Sequence, residues 1–276
     1  MAVSSNRNGN VDPMNYHKIN FWQLLALSVL MAFVAQFIHE AGHCAVYAAL
    51  GTKPVWSVNS LAQIWDNTPL YPENWSTFTT PNGQTGWIRT ASNPTQTGHI
   101  VGLLAGPLAS LMGVIVGLGL VRFSKNTSTR QIGLVLVLTI GIPMVQYYLR
   151  SPWRQTGDEY FIATYLNIPK YAIDIPFGLS FLTGFGLALY WLIDWKTRLK
   201  WLGTIILGSV PMGLFIMSIN GWVISQINLE NRLFQPVLGF ALPVFVFNIS
   251  VLALLGLWYK QASVVVHYDS DKDGNR

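Results

Sequence analysis

Long runs without a charged residue constrain the fold of this chain more than any other feature. Six such runs occur, and each can supply the roughly 20 residues that cross a bilayer as a helix. They are residues 19–38 with the helix that continues from them, 90–121, 131–149, 175–193, 201–229 and 233–259. Only 11% of the residues are charged, against roughly 25% in soluble domains. The runs predict an all-α polytopic membrane protein with about six transmembrane helices.

The composition outside these runs predicts how the chain is divided. Residues 1–18 are polar and rich in Asn, which favours a loosely ordered tail over a signal peptide. Residues 19–259 are predicted to form a single integral membrane domain, and residues 260–276 a polar C-terminal tail. With six spans and a cytoplasmic N-terminus, most of the 17 Lys and Arg residues lie on the inner side. That distribution favours two cytoplasmic termini.

A different composition marks residues 52–98, which are rich in Trp, Asn, Thr and Pro. The alternating segments 55–58 and 86–89, the second after the turn-like 81–83, predict short strands and a hairpin. We therefore expect an aromatic-rich, partly β loop. It could be a cap at the membrane interface, where Trp is favoured, or an exposed strand edge that holds an extended polypeptide by main-chain hydrogen bonds.

The first apolar run ends in the sequence His39-Glu40-Ala41-Gly42-His43, an HExxH motif. Residues four apart share a helix face, so both imidazoles can bind one metal ion while Glu40 reaches the water that the ion polarises. The motif predicts a zinc site with Glu40 as the catalytic base. A catalytic zinc usually has three protein ligands and keeps one position for water.

The spacing of residues does not choose the third ligand. A metzincin would need a histidine six residues after His43, and that position is Ala49. Cys44 follows His43 but points about 100° away round the helix, so we expect a small buried residue there. The remaining candidates are the acidic residues on the same side of the membrane and one further histidine. These are Asp66, Glu73, Asp158, Glu159, Asp174 and His99.

The second apolar run carries small residues at near-helical spacing, which we call the small-residue stripe. Such a stripe lets another helix backbone approach closely, either within the chain or in a dimer. Its members are Gly102, Gly106, Ser110, Gly113 and Gly117.

The HExxH motif in the first run and the sequence Ala105-Gly106-Pro107-Leu108-Ala109-Ser110 in the second resemble the site-2-protease family of intramembrane zinc metalloproteases. The resemblance covers roughly residues 21–170. It implies a three-helix metalloprotease core and a β-rich loop after the first core helix. The last three spans match none of these motifs; they carry few polar groups and are expected to form three scaffold helices. The resemblance also implies a third zinc ligand at the aspartate best matched by Asp158, beside His39 and His43. Ser110 stands where the family usually has asparagine.

We therefore expect an intramembrane zinc metalloendopeptidase that hydrolyses peptide bonds of membrane-associated polypeptides. One alternative is a non-proteolytic membrane protein that keeps the fold for a binding or chaperone-like role. Another is a CaaX-type membrane zinc protease, in which Glu73 or Glu159 would be the third ligand. The basic residues lie at membrane edges rather than on one stripe, so nucleic acid is not an expected partner. The sequence leaves the oligomeric state open.

Overall fold

A computed structural model describes residues 19–65, 67–80, 83–192 and 194–273, with side chains as far as residue 260. The predicted tail of residues 1–18 and the candidate ligand Asp66 lie outside the described residues. The chain is 73% helical. Its α-helices are α1 (Phe21–Ala49), α2 (Gln96–Phe123), α3 (Thr127–Arg150), α4 (Asp158–Leu166), α5 (Tyr171–Trp191), α6 (Trp195–Asn228) and α7 (Leu242–Asp273).

Six of these helices, all except α4, are long and apolar enough to cross a membrane. The prediction of about six spans is therefore confirmed, and the architecture is that of a multi-pass membrane protein. The short helix α4, which lies in the connection between α3 and α5, was not predicted. The predicted C-terminal tail of residues 260–276 begins as a continuation of α7, which ends at Asp273.

Helix α1 lies at the centre of the helical bundle. It contacts α2, α3, α6 and α7, while α5 packs on the other side against α2 and α3. The largest buried cluster joins apolar side chains of α1, α2, α3, α5 and α6, among them Leu27, Val114, Leu138, Phe181 and Ile205. The motif helix is thus held from several directions, which limits how far its side chains can move.

The small-residue stripe of α2 faces other helices of the same chain. A Cβ atom added at Gly102 would collide with the ring of Tyr47, and one added at Gly106 would collide with the ring of His43. Further along α2, Gly117 approaches the backbone of α3. The prediction of close helix approach is confirmed, and the partners are α1 and α3 rather than a second copy of the chain.

Three short strands follow α1 and form an antiparallel sheet. They are β1 (Gln63–Ile64), β2 (Ser76–Thr79) and β3 (Thr85–Ile88), in the order β1-β3-β2. The hairpin of β2 and β3, with Thr79 opposite Thr85, confirms the β region and the predicted hairpin. The tip of its turn, residues 81–82, lies outside the described residues.

The prediction of a strand at 55–58 was wrong in its position. In that segment only Trp56 makes β-type pairing among the described residues, as isolated bridges to Leu61 and Phe240. The first strand comes later, at β1, and an unpredicted ribbon of β4 (Pro236–Val237) and β5 (Phe240–Ala241) connects α6 to α7. Trp56 pairs with this ribbon because its N–H donates to the carbonyl of Gly239, at 2.7 Å.

The packing of α2 on α1 predicts different effects for two glycines of α2. Gly106→Ala should lower the thermal stability of the detergent-purified protein, because the added methyl group meets His43; overpacking of this kind costs about 1–3 kcal/mol. Gly119→Ala is the matched control, since a Cβ there has no neighbour within 4 Å, and it should be neutral or stabilising. Equal melting temperatures for the two variants would contradict this packing.

Candidate metal centre

Three predicted ligand side chains meet at one point between α1 and α4. The Nε2 atoms of His39 and His43 lie 3.2 Å apart. Oδ2 of Asp158 lies 3.3 Å from Nε2 of His43 and 3.6 Å from Nε2 of His39. Ligand atoms bonded to a tetrahedral zinc at 2.0–2.1 Å are themselves about 3.3–3.4 Å apart. The three atoms therefore have the spacing of one face of a zinc tetrahedron.

The backbone explains how residues 115 positions apart in the chain reach one another. His39 and His43 are separated by one turn of α1, so their imidazoles leave the same face. Asp158 is the first residue of α4, directly after Gly157. Gly157 has a φ of 99°, which a residue with a side chain rarely adopts. The glycine thus allows the turn that brings Asp158 back to α1.

Helix α2 orients both histidines through contacts with their Nδ1 atoms. Nδ1 of His43 lies 2.7 Å from the carbonyl oxygen of Gly102. A carbonyl can only accept, so Nδ1 carries a hydrogen, and Nε2 is the nitrogen on which a metal would take the place of a proton. Nδ1 of His39 lies 3.0 Å from the hydroxyl of Ser110. Two members of the small-residue stripe therefore act as supporting partners of the histidines.

Glu40 lies beside this group in a buried position. Its side chain belongs to the same cavity wall as His39 and His43, and only 5% of the residue is exposed. The Oε1 atom accepts a hydrogen bond from Nε2 of Gln36, at 2.7 Å. The carboxylate is thus fixed through one oxygen, and the arrangement suits a group that exchanges a proton with a neighbouring water.

The two adjacent acidic residues of α4 have opposite electrostatic environments. Burial alone would raise the pKa of Asp158, but its hydrogen bonds to His39 and His43 and the positive charge there outweigh burial and lower the pKa. For Glu159, burial raises the pKa despite hydrogen bonds from two tyrosines. Asp158 is therefore held in the ionised form that a metal ligand needs.

Glu159 is directed away from the histidines. Its Oε2 accepts a hydrogen bond from the hydroxyl of Tyr147 at 2.8 Å, and its Oε1 accepts one from the hydroxyl of Tyr148. Both tyrosines belong to the last turn of α3, and Glu159 is only 3% exposed. Glu159 thus ties the start of α4 to α3 in the register that directs Asp158 toward α1.

The other candidate ligands lie apart from the three converging atoms. Oδ2 of Asp174 accepts a hydrogen bond from the hydroxyl of Ser151 at 2.6 Å. His99 lines the same cavity, but it contacts the hydroxyl of Tyr47 at 3.4 Å and stacks on Tyr165. Glu73 is exposed in a short 3-10 turn. Within the described part of the chain, the group of His39, His43 and Asp158 is the one cluster of three potential ligands.

Cys44 has the environment that its direction on the helix predicts. It is buried, and its Sγ lies 3.6 Å from the carbonyl oxygen of Leu238 in the β4–β5 turn. The prediction of a small buried residue is confirmed, and the thiol faces the ribbon.

A cavity of about 550 Å³ opens over the three ligand atoms. Its walls come from α1, α2, α3 and α4 and from the sheet, where Gln63 of the edge strand β1 contributes. Sequence reasoning missed the aromatic side chains of this wall, although the Trp content of residues 52–98 was a signal for some of them. The aromatic members include Tyr47, Trp56, Trp65, Phe78, Phe161 and Tyr165.

Trp56 links this wall to the ligand group. Its ring stacks on the imidazole of His43 with centroids 5.6 Å apart and an interplanar angle of 9°. His43 is therefore enclosed between an aromatic ring and the carbonyl of Gly102.

No protein-family model, curated protein or solved structure matches this chain. The fold and the site define a multi-pass membrane protein with a cavity above a His-His-Asp group. Its function is therefore inferred from the chemistry of the site and from the motifs of the sequence.

The contacts of Glu159 predict a role in the stability and metal affinity of the site. Glu159→Leu should leave the hydroxyls of the buried Tyr148 and the half-buried Tyr147 without an acceptor, at a cost of about 1–3 kcal/mol for the buried one. It should also weaken zinc binding roughly 10- to 100-fold, because Asp158 loses its anchor. Glu159→Gln keeps an acceptor and is the matched control. Melting curves and competition with a zinc chelator measure both effects, and unchanged zinc affinity in Glu159→Leu would exclude this anchoring role.

Proposed function

We propose that this protein is an intramembrane zinc metalloendopeptidase of the site-2-protease type. One observation carries the proposal. The ligand atoms of His39, His43 and Asp158 have the mutual distances of a zinc tetrahedron face, and the buried Glu40 lines the same cavity. The distances fit zinc, and two nitrogens with one carboxylate oxygen are a donor set that zinc accepts in hydrolases.

In the proposed reaction, the residues of the chain bind the metal and move the proton. Zinc held by His39, His43 and Asp158 would lower the pKa of a water molecule towards neutrality and polarise a peptide carbonyl. Glu40 takes a proton from the attacking water and later delivers it to the leaving amine. Gln36 holds one oxygen of Glu40, so the other oxygen is the one that exchanges the proton.

The substrate of this reaction would be an extended polypeptide at the membrane. A cavity of about 550 Å³ is in the range of small ligand sites, so it has room for a few residues of a chain but not for a folded domain. β1 is an edge strand, and its Gln63 lines this cavity. The arrangement favours the strand-edge interpretation, in which main-chain hydrogen bonds to β1 hold the substrate.

In the same proposal, α1, α2 and α3 with the short α4 form the protease core, and α5, α6 and α7 surround it. All five side chains named in the mechanism belong to α1 and α4. An even number of spans puts the two ends of the membrane domain on one side, and the loop charges favour the cytoplasmic side. The loop that leads to Asp158 would then start from the opposite face.

Zinc content tests the ligand set directly. The detergent-purified wild type should contain about one zinc per chain, because three donors with suitable spacing are present. His39→Ala and Asp158→Ala should lose the metal, while Glu159→Gln should keep it. Elemental analysis after removal of loosely bound metal gives the numbers. A folded wild type without zinc would refute the metal site, and loss of zinc in Glu159→Gln but not in Asp158→Ala would favour the CaaX-type ligand set.

The role of Glu40 is tested by a nearly isosteric change. Glu40→Gln should reduce peptide cleavage by a factor on the order of 10²–10⁴, because the amide cannot take the proton. It should leave zinc content unchanged, since Glu40 is not a ligand in this proposal. The assay follows cleavage of single-span membrane peptides in micelles, with Gln36→Asn as a variant that keeps an amide N–H donor next to the base. Zinc binding without cleavage by the wild type would instead support the non-proteolytic binding hypothesis.

A further inference from the structure

A tight turn at residues 57–60 is fastened to a single side chain of α6. The turn is closed by a hydrogen bond from the N–H of Ser57 to the carbonyl of Ser60, at 2.9 Å. Oδ1 of Asn220 accepts hydrogen bonds from the N–H groups of Val58 and Asn59, both at 3.2 Å. These N–H groups can only donate, so the orientation of the Asn220 amide is fixed.

The remaining atoms of the Asn220 amide complete the contact. Its Nδ2 donates to the hydroxyl of Ser60 at 3.0 Å, and its Oδ1 also contacts the hydroxyl of Ser57. One side chain therefore contacts all four residues of the turn. Because this contact consists of several directional hydrogen bonds, it is more specific than the packing of two apolar surfaces.

The position of the turn beside α6 explains why such a partner is needed. Asn220 precedes the end of α6 at Asn228 by eight residues, which is about 12 Å along the helix axis. The turn thus lies beside a helix that is long and apolar enough to cross a membrane. A backbone N–H that is removed from water without a partner costs free energy, several kcal/mol in hydrocarbon. The Asn220 carbonyl takes the place of water for two N–H groups.

The same turn is part of the wall of the cavity above the His-His-Asp group. Asn59, Ser60 and Leu61 line that cavity. The residue before the turn is Trp56, whose ring stacks on His43 and whose backbone bridges to Leu61. A displaced turn would therefore move one side of the cavity and the aromatic ring that covers a ligand.

Helix α6 and the loop that follows it hold the β-rich loop at two further points, both nearer the helix end. Oδ1 of Asn228 accepts a hydrogen bond from the N–H of Leu70 at 3.1 Å, and Glu230 forms an ion pair with Arg89 at 3.1 Å. Asn220 differs from both because its partners line the cavity.

We propose that Asn220 is a positioning residue that holds the 57–60 turn in the wall of the substrate cavity. Helix α6, outside the proposed three-helix core, then takes part in shaping the site. The effect on substrate rests on the proposed peptidase function, whereas the fastening of the turn does not.

The experiment compares Asn220→Ala, Asn220→Asp and Ser218→Ala in the full-length protein in lipid nanodiscs. Asn220→Asp keeps the oxygens that accept from Val58 and Asn59 and serves as the conservative rescue. Ser218→Ala is the matched control, because the Ser218 hydroxyl bonds only to Leu214 of its own helix, at 2.8 Å, among its described hydrogen bonds. Hydrogen exchange of the peptide that contains residues 55–65 is measured together with zinc content and melting temperature, so that unfolded variants are recognised.

Asn220→Ala should speed exchange at Val58 and Asn59 about tenfold or more, because two backbone hydrogen bonds lose their acceptor. Exchange should stay near the wild-type rate in Asn220→Asp and Ser218→Ala, and zinc should be retained in all three variants. With a cleaved peptide, Asn220→Ala should raise KM about fivefold or more and change kcat less than about twofold, which is the signature of lost substrate binding.

Two results would overturn the proposal. One is unchanged exchange at Val58 and Asn59 in Asn220→Ala, and the other is faster exchange with unaltered KM. A wild type that binds zinc but cleaves no peptide would refute the proposed function instead, and hydrogen exchange alone would then decide whether Asn220 holds the turn.

Discussion

The close approach of α1 and α2 is the constraint on which the site depends. It requires glycine at the points of contact, because a Cβ at Gly102 or Gly106 would occupy the space of Tyr47 or His43. Once the backbones are this close, the carbonyl of Gly102 and the hydroxyl of Ser110 reach the Nδ1 atoms of the two histidines. The same close approach therefore determines both how the two helices pack and how the two imidazoles are oriented. Ser110 orients His39 through a single hydrogen bond.

The helical architecture was predictable because its signal is local. A bilayer demands about 20 apolar residues per helix, and six charge-free runs meet that demand in the sequence alone. The HExxH motif is a local signal too. Residues four apart share a helix face, so the motif predicted that His39, Glu40 and His43 lie at one site. In contrast, spacing left the third candidate ligand open, since the place of Asp158 beside the two histidines depends on the turn at Gly157 and on the two tyrosines that hold Glu159. Those contacts exist only after α3 and α4 have packed.

The β region shows the limit of the sequence signal. The β2–β3 hairpin had alternating residues and a turn sequence, so it could be predicted. Strand β1 and the β4–β5 ribbon have two residues per strand, too few for any periodicity, and segment 55–58 alternates but pairs only through Trp56. Pairing with Phe240 comes from a segment nearly two hundred residues away. A similarly long separation along the chain explains why the sequence carried no signal for Asn220. An asparagine in an apolar helix does not reveal its partners.

The pairing of buried polar groups bears on the proposed catalytic role. Each such group costs free energy unless it is paired, and two of them are paired at both ends of the side chain. Asn220 uses both ends of its amide on the 57–60 turn, and Glu159 receives a hydroxyl on each oxygen. Glu40 is as buried, yet its described hydrogen bond, from Gln36, occupies only one oxygen. Asp174 is another buried carboxylate in which one oxygen has no described partner, but its other oxygen is bound by Ser151, apart from the ligand group. Glu40 lines the cavity over the His-His-Asp group, and in the proposed mechanism its second oxygen would take the proton.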